Sequence, residues 1–219
     1  MLRNDKRDTQ LYYTPASGPC RAVLMVAAAL RLKLNLKPIN LMAREQYHPG
    51  FLKINPHHSV PALCDNEFTL SESRAICIYL VEKYGRTDAL YPKNPKTRGT
   101  INQLIYFDMG TLFKRMYDYY IIPLMTGTPQ DEKSLESLNE AIGYLENFIA
   151  DKKYLVSYRL TIADLILYAT VSTIETFGYD FTVTYPNITN WLETMKDAPG
   201  YEQNVEGLEI LKTYLNQHQ

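Results

Sequence analysis

The 219-residue sequence has few of the features that mark secreted, metal-binding or nucleic-acid-binding proteins. Its cysteines, Cys20, Cys64 and Cys77, are too few and too irregularly spaced for a disulfide framework or a zinc site, so we expect no metal and a reduced, cytoplasmic setting. The formal net charge is −1 without a basic run, which argues against nucleic acid or a membrane surface as partner. No uninterrupted apolar stretch is long enough to span a bilayer.

The first ten residues, MLRNDKRDTQ, are charged and lack the apolar block of a secretory signal. We expect residues 1–10 to form a short extension outside the folded domains. Hydrophobic residues make up 46% of the chain, enough for a packed core. A chain of this length fits one large domain or two modest ones.

The hydrophobic pattern divides the chain into two domains. Residues 11–86 follow the order β-α-β-α-β-β-α, which predicts an α/β domain. Residues 87–97 are polar and proline-containing, as is typical of a linker, and residues 98–219 show only helical patterns. The predicted strands cover 11–13, 36–40, 62–64 and 68–70. The predicted helices cover 20–32, 46–54, 71–85, 98–120, 133–150, 161–176, 186–196 and 208–214.

A hydroxyl group stands between the first strand and the first helix, in the segment YYTPASGPCRAV. Ser17 precedes a helix whose first N–H groups are unpaired and whose dipole adds positive charge. Its hydroxyl can therefore donate a hydrogen bond to a thiolate or another anion. The alternative is that Ser17 only caps the helix, and the local pattern leaves both interpretations open.

Two further turns have the chemistry of a peptide-binding site. Pro61 opens a strand after a loop. With a cis bond before it, the backbone of Val60 could pair with an extended peptide-like ligand, whereas a trans proline would be an ordinary strand edge. Glu72 and Ser73 occupy the first turn of a helix, which can bind a carboxylate or an ammonium group, or can simply be a capped helix start.

Two helical patterns can each be interpreted as structural packing or as part of a functional site. Thr161 and Asp164 in LTIAD have capping-box spacing, which we interpret as the structural start of a buried helix. A tyrosine-rich stripe in QLIYFDMGTLFKRMYDYY is typical of core packing, but its polar tips also suit the wall of a cleft. The stripe, at i, i+3, i+4 and i+7, consists of Phe113, Met116, Tyr117 and Tyr120.

In their order and spacing, these pieces resemble the cytosolic glutathione transferases. The resemblance covers residues 11 to about 215 and is carried by SGPCRAV, NPHHSVPAL, ESRAICIYL, VEKYG, LYP and LTIADL. It is closest to the serine-type, insect delta-like transferases, through FLKINPHHSVPAL, SRAI, YLVEKYG and INQLIYFDMGTL.

The resemblance implies a thioredoxin-like N-terminal domain with Pro61 in cis, followed by an all-helical domain for the hydrophobic substrate. It implies glutathione as co-substrate, with Ser17 as donor to its sulfur, and a homodimer. The residues implied to bind the rest of glutathione are Gln46, His58, Val60, Glu72, Ser73 and Arg74. Those implied to face a hydrophobic electrophile are Phe113, Met116, Tyr117 and Tyr120.

Three positions depart from the delta-like pattern. Ala16 and Ser157 stand where a glycine is usual. Gln46 stands where many relatives have a histidine that reaches the glycyl carboxylate of glutathione. An amide can donate a hydrogen bond there but brings no charge, and His48 is an alternative contact.

Other donors and other functions remain open at this point. Tyr13 is a rival to Ser17, because other transferase classes use a tyrosine at the end of this strand. Cys20 is a second rival, since a first-turn cysteine would suit thiol transfer. We favour conjugation of glutathione to hydrophobic electrophiles in detoxification. The alternatives are a non-catalytic carrier of glutathione or hydrophobic compounds, and a glutathione-dependent peroxidase or dehydrochlorinase.

Overall fold

The computed structural model describes residues 9–217, in which an α/β domain is followed by an all-helical domain. This order confirms the predicted fold class. Of the predicted extension, residues 1–8 lie outside the described residues. The next two residues belong to the first strand instead, because Thr9 already pairs with Asp65 of the third strand.

A four-stranded sheet organises the N-terminal domain. Its strands are β1 (Thr9–Tyr13), β2 (Asn35–Pro38), β3 (Ala62–Asp65) and β4 (Phe68–Ser71), arranged in the order β2-β1-β3-β4. β1 runs parallel to β2 and antiparallel to β3, and β3 and β4 form an antiparallel hairpin. Leu11 and Leu63 lie opposite each other and are fully buried, so this face of the sheet meets the core. The Val60–Pro61 bond before β3 is cis, as predicted.

The helices of this domain begin and end for identifiable local reasons. They are α1 (Gly18–Ala29), α2 (Pro49–Leu52) and α3 (Ser73–Tyr84), with a 3₁₀ turn at Glu45–Tyr47 before α2. α1 begins two residues earlier than predicted, because Pro19 fits the first turn of a helix. After α3, Gly85 is required by close approach, since a Cβ there would lie 2.3 Å from the carbonyl oxygen of Val81.

A long helical stretch opens the second domain and already begins inside the predicted linker. It starts at Pro95 because the Asn94 side chain caps it, accepting from the N–H groups of Lys96 and Thr97. The stretch comprises α4 (Pro95–Phe107), α5 (Phe113–Met116) and α6 (Ile122–Thr126), joined by π-helical turns at Asp108–Leu112 and Tyr117–Ile121. The remaining helices are α7 (Glu132–Ile149), α8 (Ile162–Thr176), α9 (Pro186–Met195) and α10 (Tyr201–Asn216).

Helix α8 forms the centre of the second domain and its main contact with the first. Its residues from Ile162 to Ile174 are all buried. The start of α1 packs directly on it: a Cβ on Gly18 would lie 3.2 Å from the hydroxyl oxygen of Thr173 and 3.3 Å from the carbonyl oxygen of Ala169. The turn that carries Ser17 is therefore held at the boundary between the two domains.

Helix α10 begins at Tyr201, well before the start predicted near residue 208. The missed turn contains Asn204 and Gly207, which are both buried. A polar and a small residue on the buried face remove the apolar spacing by which an amphipathic helix is recognised.

None of the helices within residues 9–217 is long and apolar enough to cross a bilayer. The same residues contain no group of three or more His, Cys, Asp or Glu side chains placed to hold a metal ion. Cys20, Cys64 and Cys77 are free thiols.

Candidate active site

The hydroxyl of Ser17 is not used to cap α1. The residue occupies the N-cap position with extended backbone (φ −75°, ψ 120°), and its carbonyl oxygen accepts from the N–H of Arg21 at 3.0 Å. The side chain, however, makes no capping hydrogen bond and is half-buried. Of the two interpretations of the sequence, capping therefore does not describe the hydroxyl. It lies at the positive end of the helix and forms a hydrogen bond with the Cys20 side chain. The neutral thiol can be the donor in that bond, so the serine O–H can still donate to an anion.

The rival side chains around this turn are placed differently. Cys20 is fully buried, and burial raises the pKa of its thiol to about 11, against the opposing effects of a hydrogen bond with the Ser17 side chain and the charge of Arg21. Its thiol is therefore protonated at neutral pH, which is the wrong state for a nucleophile in thiol transfer. Tyr13, at the end of β1, is half-buried and packs against the hydrophobic core.

The loop before the cis proline presents unpaired backbone. Among the described residues, neither the N–H nor the C=O of Val60 has a hydrogen-bond partner, so both can pair with an extended peptide. Asn55, which sequence reasoning missed, fixes this loop: it is 2% exposed and its side-chain NH2 donates to the carbonyl oxygen of Ser59 at 2.8 Å. His58 is exposed, with its ring centroid 4.8 Å from that of Tyr47.

Three of the predicted glutathione-binding residues lie at the start of α3. Glu72 is exposed and has a positive φ of 69°. Ser73, in the first turn of the helix, is only 3% exposed. Arg74 faces the second domain: its Nη1 donates to the Ser73 hydroxyl at 3.2 Å, and its Nε donates to Asp108 Oδ2 at 3.1 Å, with Nη2 contacting the same oxygen. The predicted direct contact of Arg74 with glutathione stays a prediction; its contacts with protein groups hold the Ser73 hydroxyl in place.

Asp108 is a site residue that sequence reasoning missed. It is fully buried in the first π-helical turn, where burial raises the pKa of its carboxyl and the charge of Arg74 opposes that rise. Leu104 and Leu112, one turn away on either side, are also buried. An aspartate on the apolar face of a helix is the signal that could have revealed it, because a buried carboxylate needs a cationic partner.

Two side chains were candidates for the glycyl carboxylate. Gln46 is half-buried, and its Oε1 is buried without a hydrogen-bond partner in the described part of the chain. His48 is exposed, and its Nδ1 accepts from the N–H of Gly50 at 3.2 Å and so caps α2. The unpaired oxygen leaves the Gln46 side chain available to a ligand, since a side-chain amide can turn to offer either its oxygen or its NH2 group.

The tyrosine-rich stripe does not form one continuous face. Phe113 and Tyr117 are half-buried with ring centroids 6.2 Å apart, and the Arg74 guanidinium lies 5.0 Å from the Phe113 ring centroid. Met116 is 2% exposed, and Tyr120 is 8% exposed and stacks on the ring of Phe177 at 4.6 Å. Core packing describes Met116 and Tyr120. The predicted spacing assumed a regular α-helix, but the π-helical turn Tyr117–Ile121 changes the angular position of Tyr120.

Comparison with known proteins shows the family to which the two domains belong. Residues 11–88 match the glutathione S-transferase N-terminal domain, and residues 107–199 match the C-terminal domain of the same family. The chain is 45% identical over 207 residues to glutathione S-transferase D7 of Drosophila melanogaster, covering 94% of this chain and 92% of that one.

Solved structures show the same relationship. A delta-class glutathione transferase of Nilaparvata lugens is 43% identical and superposes with a TM-score of 0.93; the match covers 96% of this chain and 100% of that one. A glutathione transferase homolog of Drosophila mojavensis, solved with bound glutathione, is 32% identical, covers 97% of this chain with 98% of its own, and superposes with a TM-score of 0.91. The chain thus belongs to the glutathione transferase family.

Proposed function

We propose that this protein is a serine-type glutathione transferase, in which Ser17 donates a hydrogen bond to the glutathione sulfur and holds it as a thiolate for attack on a hydrophobic electrophile. The observation that carries the proposal is the half-buried Ser17 hydroxyl, which lies at the start of α1 and is not used to cap it. A cytoplasmic role in the detoxification of foreign compounds belongs to the same proposal.

The glutathione tripeptide would lie across the starts of α1 and α3. Its γ-glutamyl carboxylate would accept from the Ser73 hydroxyl and the first N–H groups of α3, and Glu72 would accept from the adjacent ammonium group. The unpaired N–H and C=O of Val60 would pair with the cysteinyl backbone, with His58 beside them. The glycyl carboxylate would reach Gln46.

The reaction depends on lowering the pKa of the glutathione thiol. A free thiol has a pKa of about 8.5, so only a few per cent of it is thiolate at neutral pH. A decrease of about two units requires about 2.7 kcal/mol, which one hydrogen bond to a charged group plus the α1 dipole can supply. The thiolate would then form a C–S bond with an electrophilic carbon held nearby while a leaving group such as chloride departs with its electron pair. With a peroxide it would form an S–O bond while the O–O bond breaks and an alkoxide leaves. Proximity would contribute much of the remaining rate gain.

The hydrophobic substrate would contact the exposed part of the tyrosine-rich stripe. Phe113 and Tyr117 have accessible ring surface, and the Tyr117 hydroxyl contacts the Met125 sulfur at 3.8 Å. Since Arg74 lies over Phe113 and also contacts Ser73, the two substrate sites would be adjacent. Met116 and Tyr120, as buried residues, would support this wall from behind.

An activity assay tests the proposal. We expect the purified protein to conjugate glutathione to 1-chloro-2,4-dinitrobenzene with saturation in both substrates. An organic hydroperoxide and an organochlorine, assayed in parallel, distinguish conjugation from peroxidase or dehydrochlorinase activity. Tight binding of glutathione without turnover of any of the three would make the protein a carrier and would contradict the proposal.

Replacing Ser73 by alanine should weaken glutathione binding. The change removes one hydrogen bond to a charged group, so we expect the KM for glutathione to rise about tenfold with kcat within about twofold. Steady-state kinetics at varied glutathione measure both constants. Ser71→Ala, at the end of β4, is a matched serine control. An unchanged KM in Ser73→Ala would remove Ser73 from the site.

The homodimer is also a proposal, and exposed apolar side chains suggest its interface. Tyr106 and Met109 on the long helix are 60% and 45% exposed, and Phe68 of the neighbouring domain is 45% exposed. We expect Tyr106→Asp to shift the protein toward monomer in analytical ultracentrifugation, because a charge buried between subunits is costly. Tyr158→Asp, at a tyrosine that is 77% exposed, is the control. An unchanged mass in Tyr106→Asp would place the interface elsewhere.

A further inference from the structure

One buried arginine joins the Ser17 turn to the second domain. Arg21 is completely buried, and each of its three side-chain nitrogens donates a hydrogen bond to an uncharged acceptor. Nη1 donates to the carbonyl oxygen of Ala16 at 2.6 Å, and Nε donates to Asn204 Oδ1 on α10 at 2.9 Å. Nη2 donates to the carbonyl oxygen of Ala169 at 3.2 Å and to the Thr173 hydroxyl, both on α8. Helices α8 and α10 thus hold the Arg21 side chain, which in turn holds the carbonyl group of Ala16, the residue before Ser17.

The charge of Arg21 is not neutralised. Within residues 9–217, no carboxylate lies within ion-pair distance of its guanidinium. Burial lowers the pKa of Arg21 to about 10, so it stays protonated at neutral pH. The titratable groups that act on it are the Cys20 thiol on α1 and the Tyr168 hydroxyl on α8, and burial raises the pKa of each, so both are neutral. Toward Arg21, α10 contributes the uncharged Asn204 amide. Buried charges are normally paired, so an unpaired one beside a reactive turn needs an explanation.

Helix α10 also touches this turn without an intervening side chain. A Cβ on Gly207 would lie 2.4 Å from the carbonyl oxygen of Pro15 and 2.4 Å from Cδ of Arg21. A close approach of this kind tolerates only glycine. The C-terminal helix is therefore in direct contact with the backbone two residues before Ser17, independently of the hydrogen bonds of Arg21.

We infer that Arg21 is a positioning residue for the thiolate site. Its hydrogen bonds to α8 and α10 fix the Ser17 turn, and its unneutralised positive charge favours the glutathione thiolate. The inference rests on the proposed function. It makes the C-terminal helix part of the apparatus that activates the thiol, although none of the proposed glutathione contacts lies on α10. Removing the charge should therefore change the thiol pKa and leave the peptide contacts intact.

Asn204→Asp separates the charge of Arg21 from its structural role. The aspartate side chain has nearly the same shape and can still accept from Arg21 Nε. In the wild-type protein the Ser172 hydroxyl accepts from the Asn204 NH2 group, and in the variant it can donate to the carboxylate instead. The added carboxylate neutralises the guanidinium. We expect the pKa of the bound glutathione thiol, measured by the ultraviolet absorbance of the thiolate, to rise by about one pH unit.

The kinetic signature depends on pH in a defined direction. If the thiol pKa rises by about one unit, kcat should fall roughly tenfold at a pH below both values and should approach the wild-type rate at a pH above both. The KM for glutathione should stay within about twofold, because the peptide contacts are unchanged. Asn102→Asp on α4, where the amide oxygen accepts from the Tyr91 hydroxyl at 2.8 Å, is the matched control and should leave the titration unchanged.

A second pair of variants decides the question if Asn204→Asp fails to fold. Arg21→Lys keeps the charge but loses the planar fork, so it should lower the melting temperature and leave the thiol pKa close to wild type. Arg21→Gln removes the charge and should raise that pKa. Equal titration shifts in both variants would mean that Arg21 acts only through structure and would overturn the inference.

The outcomes separate this inference from the proposed function. A wild-type protein that shows neither conjugation nor a glutathione thiolate would overturn both. If the wild-type protein shows both conjugation and the thiolate, but a folded Asn204→Asp variant has an unchanged thiol titration, only the role of Arg21 is overturned. A raised thiol pKa in Asn204→Asp with unchanged KM supports it.

Discussion

Replacing Ser17 by alanine should lower turnover roughly 100-fold while glutathione still binds within a few-fold. The estimate follows from the loss of one hydrogen bond to the thiolate, worth about 2.7 kcal/mol in the reacting state. Stability should change little, because the side chain makes no capping hydrogen bond with α1 and its partner there, the Cys20 thiol, forms only weak hydrogen bonds. Binding should persist, since the proposed contacts of the tripeptide ends lie elsewhere, at Gln46 and Ser73.

The measurement that checks the role of Ser17 is the titration of the bound thiol. In Ser17→Ala the pH at which thiolate absorbance appears should move up toward that of free glutathione. Tyr13→Phe and Cys20→Ala are the controls, and neither should move it. If Tyr13→Phe shifts the titration while Ser17→Ala does not, the tyrosine is the donor. If Cys20→Ala alone abolishes activity, the protein is a thiol-transfer enzyme.

The features that the sequence predicted well are those set by neighbouring residues. The Ser17 turn, the hairpin after Pro61 and the capping box at Thr161 each depend on a few consecutive side chains with fixed backbone preferences. The fold class followed from the change from mixed to purely helical patterns. The family resemblance then supplied what local pattern left open, such as the cis bond at Pro61.

The features that the sequence could not reveal depend on contacts between distant segments. Arg21 meets Asn204 across 183 positions, and Arg74 meets Asp108 across 34. No periodicity within either helix indicates which partner a buried charge will find. The position of Tyr120 has a different cause, because a π-helical turn such as Tyr117–Ile121 shifts a helix face without a sequence signal that a regular helical period can detect.

Replacing Asp164 by alanine should destabilise the protein strongly without affecting the chemistry. Its carboxylate is fully buried and accepts from the N–H groups of Leu155 and Thr161, both at 2.8 Å, and from Trp191 Nε1 at 3.2 Å. The Thr161 hydroxyl also donates to it, at 2.9 Å. Alanine would leave these buried donors unpaired. Each such donor costs about 1–3 kcal/mol, but the variant no longer carries the cost of burying a carboxylate, which offsets part of that sum. We therefore expect a net loss of roughly 3–4 kcal/mol in the free energy of unfolding.

The size of the Asp164 effect can be separated from ordinary helix capping. Asp131 caps α7 by accepting from the N–H of Ser134 at 3.0 Å, but it is exposed, so water can replace it. Asp131→Ala should therefore cost only about 0.5–2 kcal/mol. For a chain of this length, the Asp164→Ala loss corresponds to a decrease of about 10 °C in Tm. Well below that Tm, activity per folded molecule should equal that of wild type, because Asp164 contacts none of the residues proposed to bind glutathione. Normal melting with lost activity would instead move Asp164 into the active site, and equal losses in the two variants would show that its burial adds nothing to the cap.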